Sequence, residues 1–392
     1  MNTISDIAVL LRNGKSVRQS ADADGLPITR IETIADGTIN PKRVGYADLS
    51  ETDAEGWLLE KGDILISHIN STKHLGKCAI YDGRPSKLVH GMNLLNLRLD
   101  KSETSPHYIY RVLSSAAFRR LLPRITKDSV NQSSFNISNF QKLQIPLPPL
   151  TEQKRIAGIL DAADALRAKR RESLAQLDTL LQSTFLEMFG DPVTNPKGWQ
   201  QTTLGSLIEP GDKINYGVVQ PGDDTPSGRP LIRVGDFVKG NLNLGGLKLI
   251  APEIEKKYQR SRLNGTELLV SCVGSIGTVC KVPAEAKDVN IARAVSRVPL
   301  RKEISRDFML YCLRSDAVQR HFFKETRTVS QPTLNISLIK TAPVFQPPLN
   351  LQRRFAAIVE SIEKQKTRQR THLAELDTLF ASLQSRAFNG EL

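Results

Sequence analysis

PLPPLTEQKRIAGILDAADALRAKRRESLAQLDTLLQSTFLEMFG, residues 146–190, returns without a gap as FQPPLNLQRRFAAIVESIEKQKTRQRTHLAELDTLFASLQSRAFN, residues 345–389. Gln153 and Gln352, Arg155 and Arg354, Leu177 and Leu376, Asp178 and Asp377, and Phe189 and Phe388 fix the register, each pair 199 apart. A repeat of that length in a chain of 392 residues implies two similar halves and a pseudo-two-fold relation between them. Each copy reads as a long helix. Pro148 and Pro149 forbid helix before Leu150, Thr151 is then an N-cap, and Glu152 carries a charge suited to a helix N-terminus; Pro347, Pro348 and Asn350 repeat the pattern. Apolar residues recur at three-four spacing through Ile156, Ile159, Ala163 and Leu166, then Leu174, Leu177, Leu181 and Met188, matched from Phe355 to Leu383. Gly190, and Asn389 with Gly390, supply residues that tolerate a left-handed C-cap. The expected helices are about 37 residues and about 55 Å long.

Both apolar stripes lapse in the middle, where the chain reads RAKRRE and KQKTRQRT. An apolar seam at both ends suits two helices lying against each other, with Arg167, Lys169, Arg170, Arg171, Lys364, Lys366, Arg368 and Arg370 available at the centre to something anionic. A solvated helix face is the alternative reading of the same charges.

Outward from the helices lie two segments of another texture, rich in short β-runs, glycines and turn signals. LPITRIETI, GDILIS, KCAIYD and LLNLRL read as strands in the first; PLIRVGDF, ELLVSCVG, TVCKVP and RAVSRVPL do in the second. Each then offers an amphipathic helical stretch, from Pro106 and from Arg306, and closes with VNQSSFNIS or VSQPTLNIS. The offset drifts from 199 at Gln132 and Gln331 to 203 at Arg30 and Arg233, as small loop insertions in a shared scaffold require. The fold class is therefore α+β: two β-rich α/β domains joined by two long helices with coiled-coil character. The boundaries fall at 1–150 for the first domain, 151–190 for the central helix, 191–345 for the second domain and 346–392 for the C-terminal helix.

The net charge of +13 and pI of about 9.6 favour an extended anionic partner such as nucleic acid or an anionic membrane face. No apolar window long enough to span a bilayer exists, and no leader pattern opens the chain, so no membrane partner and a cytoplasmic location are expected. Cys78, Cys272, Cys280 and Cys312 form no metal or disulfide pattern, and His68 and His74 stand off the spacing that presents two imidazoles to one metal. These histidines read as scattered polar or DNA-facing residues. Tools for catalysis are missing too: there is no phosphate loop, no N-P-P-Y (Asn195-Pro196-Lys197-Gly198 fails it) and no nuclease cluster, and VGSIG reads as a turn rather than a nucleotide cradle.

PLPPLTEQKRIAGIL, QPPLNLQRRFAAIV and MFGDPVTNPKGWQQTTLG (Met188 to Gly205), in the order domain, helix, domain, helix, resemble the DNA specificity subunit of type I restriction-modification systems over essentially the whole chain. Nothing like NPKGW precedes the first domain, which begins with ISDIAVLL, so its opening residues are expected to be trimmed or differently packed. The resemblance implies target recognition domains that each read half of a split double-stranded DNA target. It implies antiparallel spacer helices that dock two modification (methyltransferase) subunits, with restriction/translocase subunits beside them. The chain itself would hold no cofactor; S-adenosylmethionine, ATP and Mg would belong to those partners.

Candidate DNA-reading residues lie in polar loops beside strands: Thr72, Lys73, His74, Arg84, Lys127 and Gln132 in the first domain, and Ser275, Arg293, Arg327, Ser330 and Gln331 in the second. Gln pairs with an adenine edge and Arg or Lys with a guanine edge. Gln132 and Gln331, shared by both halves, have a structural alternative, because true readers differ where the targets differ. Each named Arg or Lys also has phosphate and solvent as alternatives. Two further functions compete: a stand-alone duplicated DNA-binding or architectural protein, and a hydrolase hidden in one β-rich domain. A bipartite target with an unspecified spacer set by helix length is expected, its half-sites about 34–36 Å apart.

Overall fold

In the computed structural model each copy of the proline-bounded stretch is one unbroken helix, Leu150–Phe189 of 40 residues and Leu349–Asn389 of 41. Each is about 60 Å long. The residues described are 2–20, 25–129, 132–238, 240–324 and 333–392. Entry into the central helix differs from expectation in one respect. Helix begins at Leu150, one residue before the expected cap, and the Pro149 carbonyl accepts the Glu152 and Gln153 amides at 2.9 and 3.0 Å. Thr151 thus sits inside the first turn. At the exit Gly190 has φ +82°, and a Cβ there would lie 2.7 Å from Pro196 Cγ, so the left-handed cap is reserved for glycine.

Two units form, one from Met1–Arg171 with His372–Leu392 and the other from Glu172–Thr371. Within the first, a four-stranded antiparallel sheet runs in the order Ala8–Asn13, Leu94–Leu99, Ile64–Ser67, Cys78–Ile80. Within the second, Asn215–Tyr216, Val295–Val298, Leu268–Ser271 and Val279–Lys281 take the same places. In both units a short ribbon joins the segment entering the domain to the segment entering the helix. Asn2–Thr3 pairs with Gln144–Ile145, and Gln200–Thr203 with Pro343–Gln346.

Two expected strands stop early for one shared reason. After Leu26–Ile28 the chain turns into the 3-10 segment Ile31–Ile34, because Thr33 Oγ1 accepts the Arg30 amide at 2.8 Å. After Arg229–Ile232 it turns into Val234–Asp236, where the Asp236 carboxylate accepts the Arg233 amide at 2.6 Å. A side chain that satisfies a backbone donor locally removes the reason to extend the ladder.

Each unit packs its sheet and amphipathic helix, Pro106–Ser114 or Arg306–Arg314, onto a stretch of both long helices. In the first, Arg155 donates to the Leu392 carbonyl at 2.7 Å and Arg167 to Asp377 at 2.6 Å. In the second, Lys366 meets Asp178 at 2.7 Å, and the rings of Phe189 and Phe355 lie 5.5 Å apart. Numbers that rise along one helix meet numbers that fall along the other, so the helices are antiparallel in each unit. Phe185, Phe189, Phe308, Phe345 and Phe355 form a fully buried aromatic cluster in the second unit, where each favourable ring pair adds about 0.5–1.5 kcal/mol beyond its area. The first unit uses Ile156, Leu160, Tyr108 and Phe140 instead.

Candidate nucleic-acid interface

Ser67 ends the third strand of the first sheet and its amide donates to the Lys77 carbonyl at 2.8 Å, closing a loop that carries Thr72, Lys73 and His74. Part of that loop, Ile69–Asn70, is the edge of a small antiparallel sheet with Ser133–Ser134 and Lys127–Asp128. Thr72 Oγ1 lies 2.7 Å from Ser133 Oγ, which donates to Asp128 at 2.5 Å. Gln132 is exposed at the turn closed by its amide to Ser129 O at 3.3 Å and by Ser129 Oγ to its carbonyl at 2.7 Å. The structure therefore brings Thr72, Lys73, Lys127 and Gln132 to one sheet, with both lysines exposed. Thr72, Lys73, Thr126 and Asp128 line a hollow of about 280 Å³ with Arg119. Arg119 escaped the sequence reading because it ends the helix Ala116–Arg119, where a basic residue looks like a dipole partner.

Arg84 is not part of this group. It lies past the opposite end of strand Cys78–Ile80 from His74, 88% exposed at its side chain and 3.5 Å from Asp82. His74 is half-buried and His68 is buried edge-on to Phe135 at 6.3 Å. Burial pushes the His68 imidazole down to about 4, so it is neutral near pH 7.

In the second unit the Ser271 amide donates to Thr278 O at 2.9 Å, closing the loop that exposes Ser275. Arg293 is exposed beside it, in a hollow of about 430 Å³ shared with Tyr216, Val218, Pro221, Val273 and Thr333. Arg327, Ser330 and Gln331 lie outside the described residues. The loops correspond. Lys77 N to His74 O, 3.3 Å, has its counterpart in Thr278 N to Ser275 O, 3.2 Å; Gly76 N to Ser67 O, 2.8 Å, has its counterpart in Gly277 N to Ser271 O, 2.9 Å. His74 and Ser275 thus occupy one backbone position in two domains and present different chemistry there.

Residues that the halves share do another job. Gln153 is fully buried; its Oε1 accepts the Ser105 amide at 2.9 Å and its Nε2 donates to Glu103 O at 3.1 Å and Pro148 O at 2.8 Å. Gln352 repeats this with Ser305 N at 3.0 Å and Pro347 O at 2.8 Å. Asn136 and Asn335 cap the short helices Ile137–Phe140 and Ile336–Lys340, each accepting an amide at 2.8 Å.

The basic helix centres are divided in the same way. Arg167 lies between Asp164 at 2.8 Å and Asp377 at 2.6 Å, with its guanidinium 4.3 Å from the Phe380 ring centre. Lys366, 199 residues later, lies between Glu363 and Asp178, its side chain only 5% exposed. Asp164 and Glu363, like Asp178 and Asp377, are also 199 apart, so an acid-base-acid cluster recurs in each unit. Arg171 shares Asp377 at 3.2 Å and Arg370 lies 3.8 Å from Glu363. Lys169, Lys364 and Arg368 are exposed and Arg170 is half-buried.

Among the described residues no group of three or more His, Cys, Asp and Glu is placed to hold a metal ion, and no helix is long and apolar enough to cross a membrane. All four cysteines are free and buried, and burial pushes each thiol up to about 12.

The family model described as Type I restriction modification DNA specificity domain matches residues 1–177. The MjaX type I specificity subunit of Methanocaldococcus jannaschii is 39% identical over 215 residues, 55% of this chain and 51% of that protein. The chain thus spans about half the length of that relative. The EcoBI specificity subunit of Escherichia coli is 29% identical over 406 residues, 94% of this chain and 80% of that protein. In fold, the chain is similar to the S subunit from M. genitalium, with a TM-score of 0.53 at 17% identity over 99% of this chain and 95% of that one. It is also similar to a chain from a structure concerned with complex assembly of the type I R-M system, with a TM-score of 0.56 at 16% identity over 100% and 97%. At such identities the likeness is one of fold.

Proposed function

We propose that this chain, whose residues 1–177 match the type I restriction modification DNA specificity domain and which is similar to the EcoBI specificity subunit over 94% of its length, supplies the DNA address of a methylating and restricting complex without doing chemistry itself. Each β-rich unit reads one half of a split, asymmetric double-stranded target. The long helices dock two modification subunits, and restriction subunits join them; S-adenosylmethionine, ATP and Mg act on those partners.

One observation carries this reading: the two units repeat the same loop-closing hydrogen bonds yet place different residues at the matched position of the loops so formed, half-buried His74 in one and exposed Ser275 in the other. Two copies of one scaffold with unlike surfaces suit two unlike half-sites. Exposed Lys73 and Lys127 in the first unit add the charge that draws phosphate oxygens, while base edges supply discrimination. The test is to sequence methylated adenines in a host with and without this chain. One split motif that vanishes with the chain is expected. A contiguous motif, or methylation indifferent to the chain, would refute the assignment.

A further inference from the structure

Gly14 and Gly217 mark a place where the two units agree in backbone. A Cβ on Gly14 would fall 2.0 Å from the Gly91 carbonyl oxygen, and one on Gly217 would fall 1.6 Å from that of Ile291. Only glycine lets the neighbouring segments come so close. The contacts that follow also correspond. Lys15 N donates to His90 O at 2.9 Å and Met92 N to Lys15 O at 3.1 Å; Val218 N donates to Ile291 O at 2.7 Å and Arg293 N to Val218 O at 2.8 Å. Lys15 bridges Gly91 and Val218 bridges Ala292, both in parallel sense. Met92 and Arg293 therefore stand at one position of a shared scaffold.

Both side chains point away from the core. Met92 is 44% exposed, and Arg293 is exposed without a carboxylate partner among the described residues. In the second unit the next residue touches the loop that holds the other divergent position: the Ala294 carbonyl accepts the Cys272 amide at 2.8 Å. Scaffold constraint explains the glycines and the hydrogen bonds, but it does not select a thioether in one unit and a guanidinium in the other.

Resting on the specificity reading above, we infer that Met92 and Arg293 are equivalent base-reading residues, Met92 set against the methyl edge of a thymine and Arg293 against the O6 and N7 edge of a guanine. Apolar contact selects the C5-methyl group, and a guanidinium pairs with guanine in two hydrogen bonds. The thioether adds a polarizable, adaptable surface.

The experiment uses the full chain expressed with its modification subunits, and reads the methylated motif genome-wide for wild type, Arg293→Met and Met92→Arg. Arg293→Met is expected to lower the preference for guanine at one position of one half-site by about 5- to 150-fold. Met92→Arg is expected to change one position of the other half-site alone. Unchanged motifs in both variants would overturn the inference, as would a uniform loss of methylation by a folded Arg293→Met chain, which marks a phosphate contact. Arg293→Gln is the second variant should Arg293→Met fail to fold, and it too must alter a single position. If wild type gives no chain-dependent motif, the specificity reading itself fails; a wild-type motif untouched by the variants removes only the assignment of this position.

Discussion

Replacing Gln153 by alanine tests whether the repeated glutamine fastens each helix to its domain. The side chain is fully buried and makes three hydrogen bonds, to Ser105 N, Glu103 O and Pro148 O. Each such bond contributes about 1 kcal/mol net, and stranding a buried amide adds about 1–3 kcal/mol. The expected cost is about 4–6 kcal/mol for Gln153→Ala and about 3–5 for Gln352→Ala, whose side chain makes the two bonds to Ser305 N and Pro347 O. The two tryptophans fall in different units, Trp57 in the first and Trp199 in the second. Urea unfolding of a Trp199→Phe background therefore follows the first unit by fluorescence, and Trp57→Phe the second. With slopes of about 2–3 kcal/mol per molar urea, Gln153→Ala should lower the first midpoint by about 1–3 M. Gln153→Glu should do no better, since a carboxylate cannot donate to the Glu103 and Pro148 carbonyls. A loss under about 1 kcal/mol for both alanine variants would show that the glutamines do not fasten the helices, and a larger effect of Gln153→Ala on the second unit would refute the local account.

Three further outcomes are expected. Lys73→Ala and Lys127→Ala should each weaken binding to all duplexes alike and reduce the slope of log affinity against log salt by about 0.9, measured by fluorescence anisotropy of the assembled complex. His107 Nδ1 donates to the Asp161 carboxylate at 2.9 Å, and that bond holds its pKa above the usual 6.5; burial pushes the Asp161 carboxyl up, but bonds from His107 and Arg111 outweigh this and keep it low. The pair's contribution is full below pH 6.5 and lost as pH rises through the raised value, so the first unit's urea midpoint should fall over that range in wild type and flatten in His107→Ala. Matched insertions of four residues after Ala168 and Thr367 lengthen each helix by about 6 Å, and sequencing should show a spacer longer by about two base pairs at 3.4 Å each.

The long helices were legible because their signals are local: paired prolines at entry, glycine at exit and a 199-residue echo between. Strands were legible where both faces are buried, as at Ile64–Ser67. RIETI and RVGDF misled because Thr33 and Asp236 satisfy nearby amides, a competition that β-propensity does not register. Equivalence of His74 and Ser275 was hidden by loop length, nine residues at 68–76 against six at 272–277 between matched hydrogen bonds. Arg167 and Lys366 look like free positive charge in sequence, since their acids Asp377 and Asp178 come from the opposite helix. Arg119 joins the loop hollow only through packing, which no spacing rule encodes.

The acid-base-acid clusters bear on how such a chain can change over time. Each takes its base and one acid from one copy of the helix and its second acid from the other copy: Asp164, Arg167 and Asp377 in one, Glu363, Lys366 and Asp178 in the other. Because the charges fall in the same slots, a helix recombined from a related gene meets an acceptable partner whichever half it replaces. The stretch of greatest sameness thus becomes a splice point, where one half of the chain can be exchanged while the other half and the frame are kept.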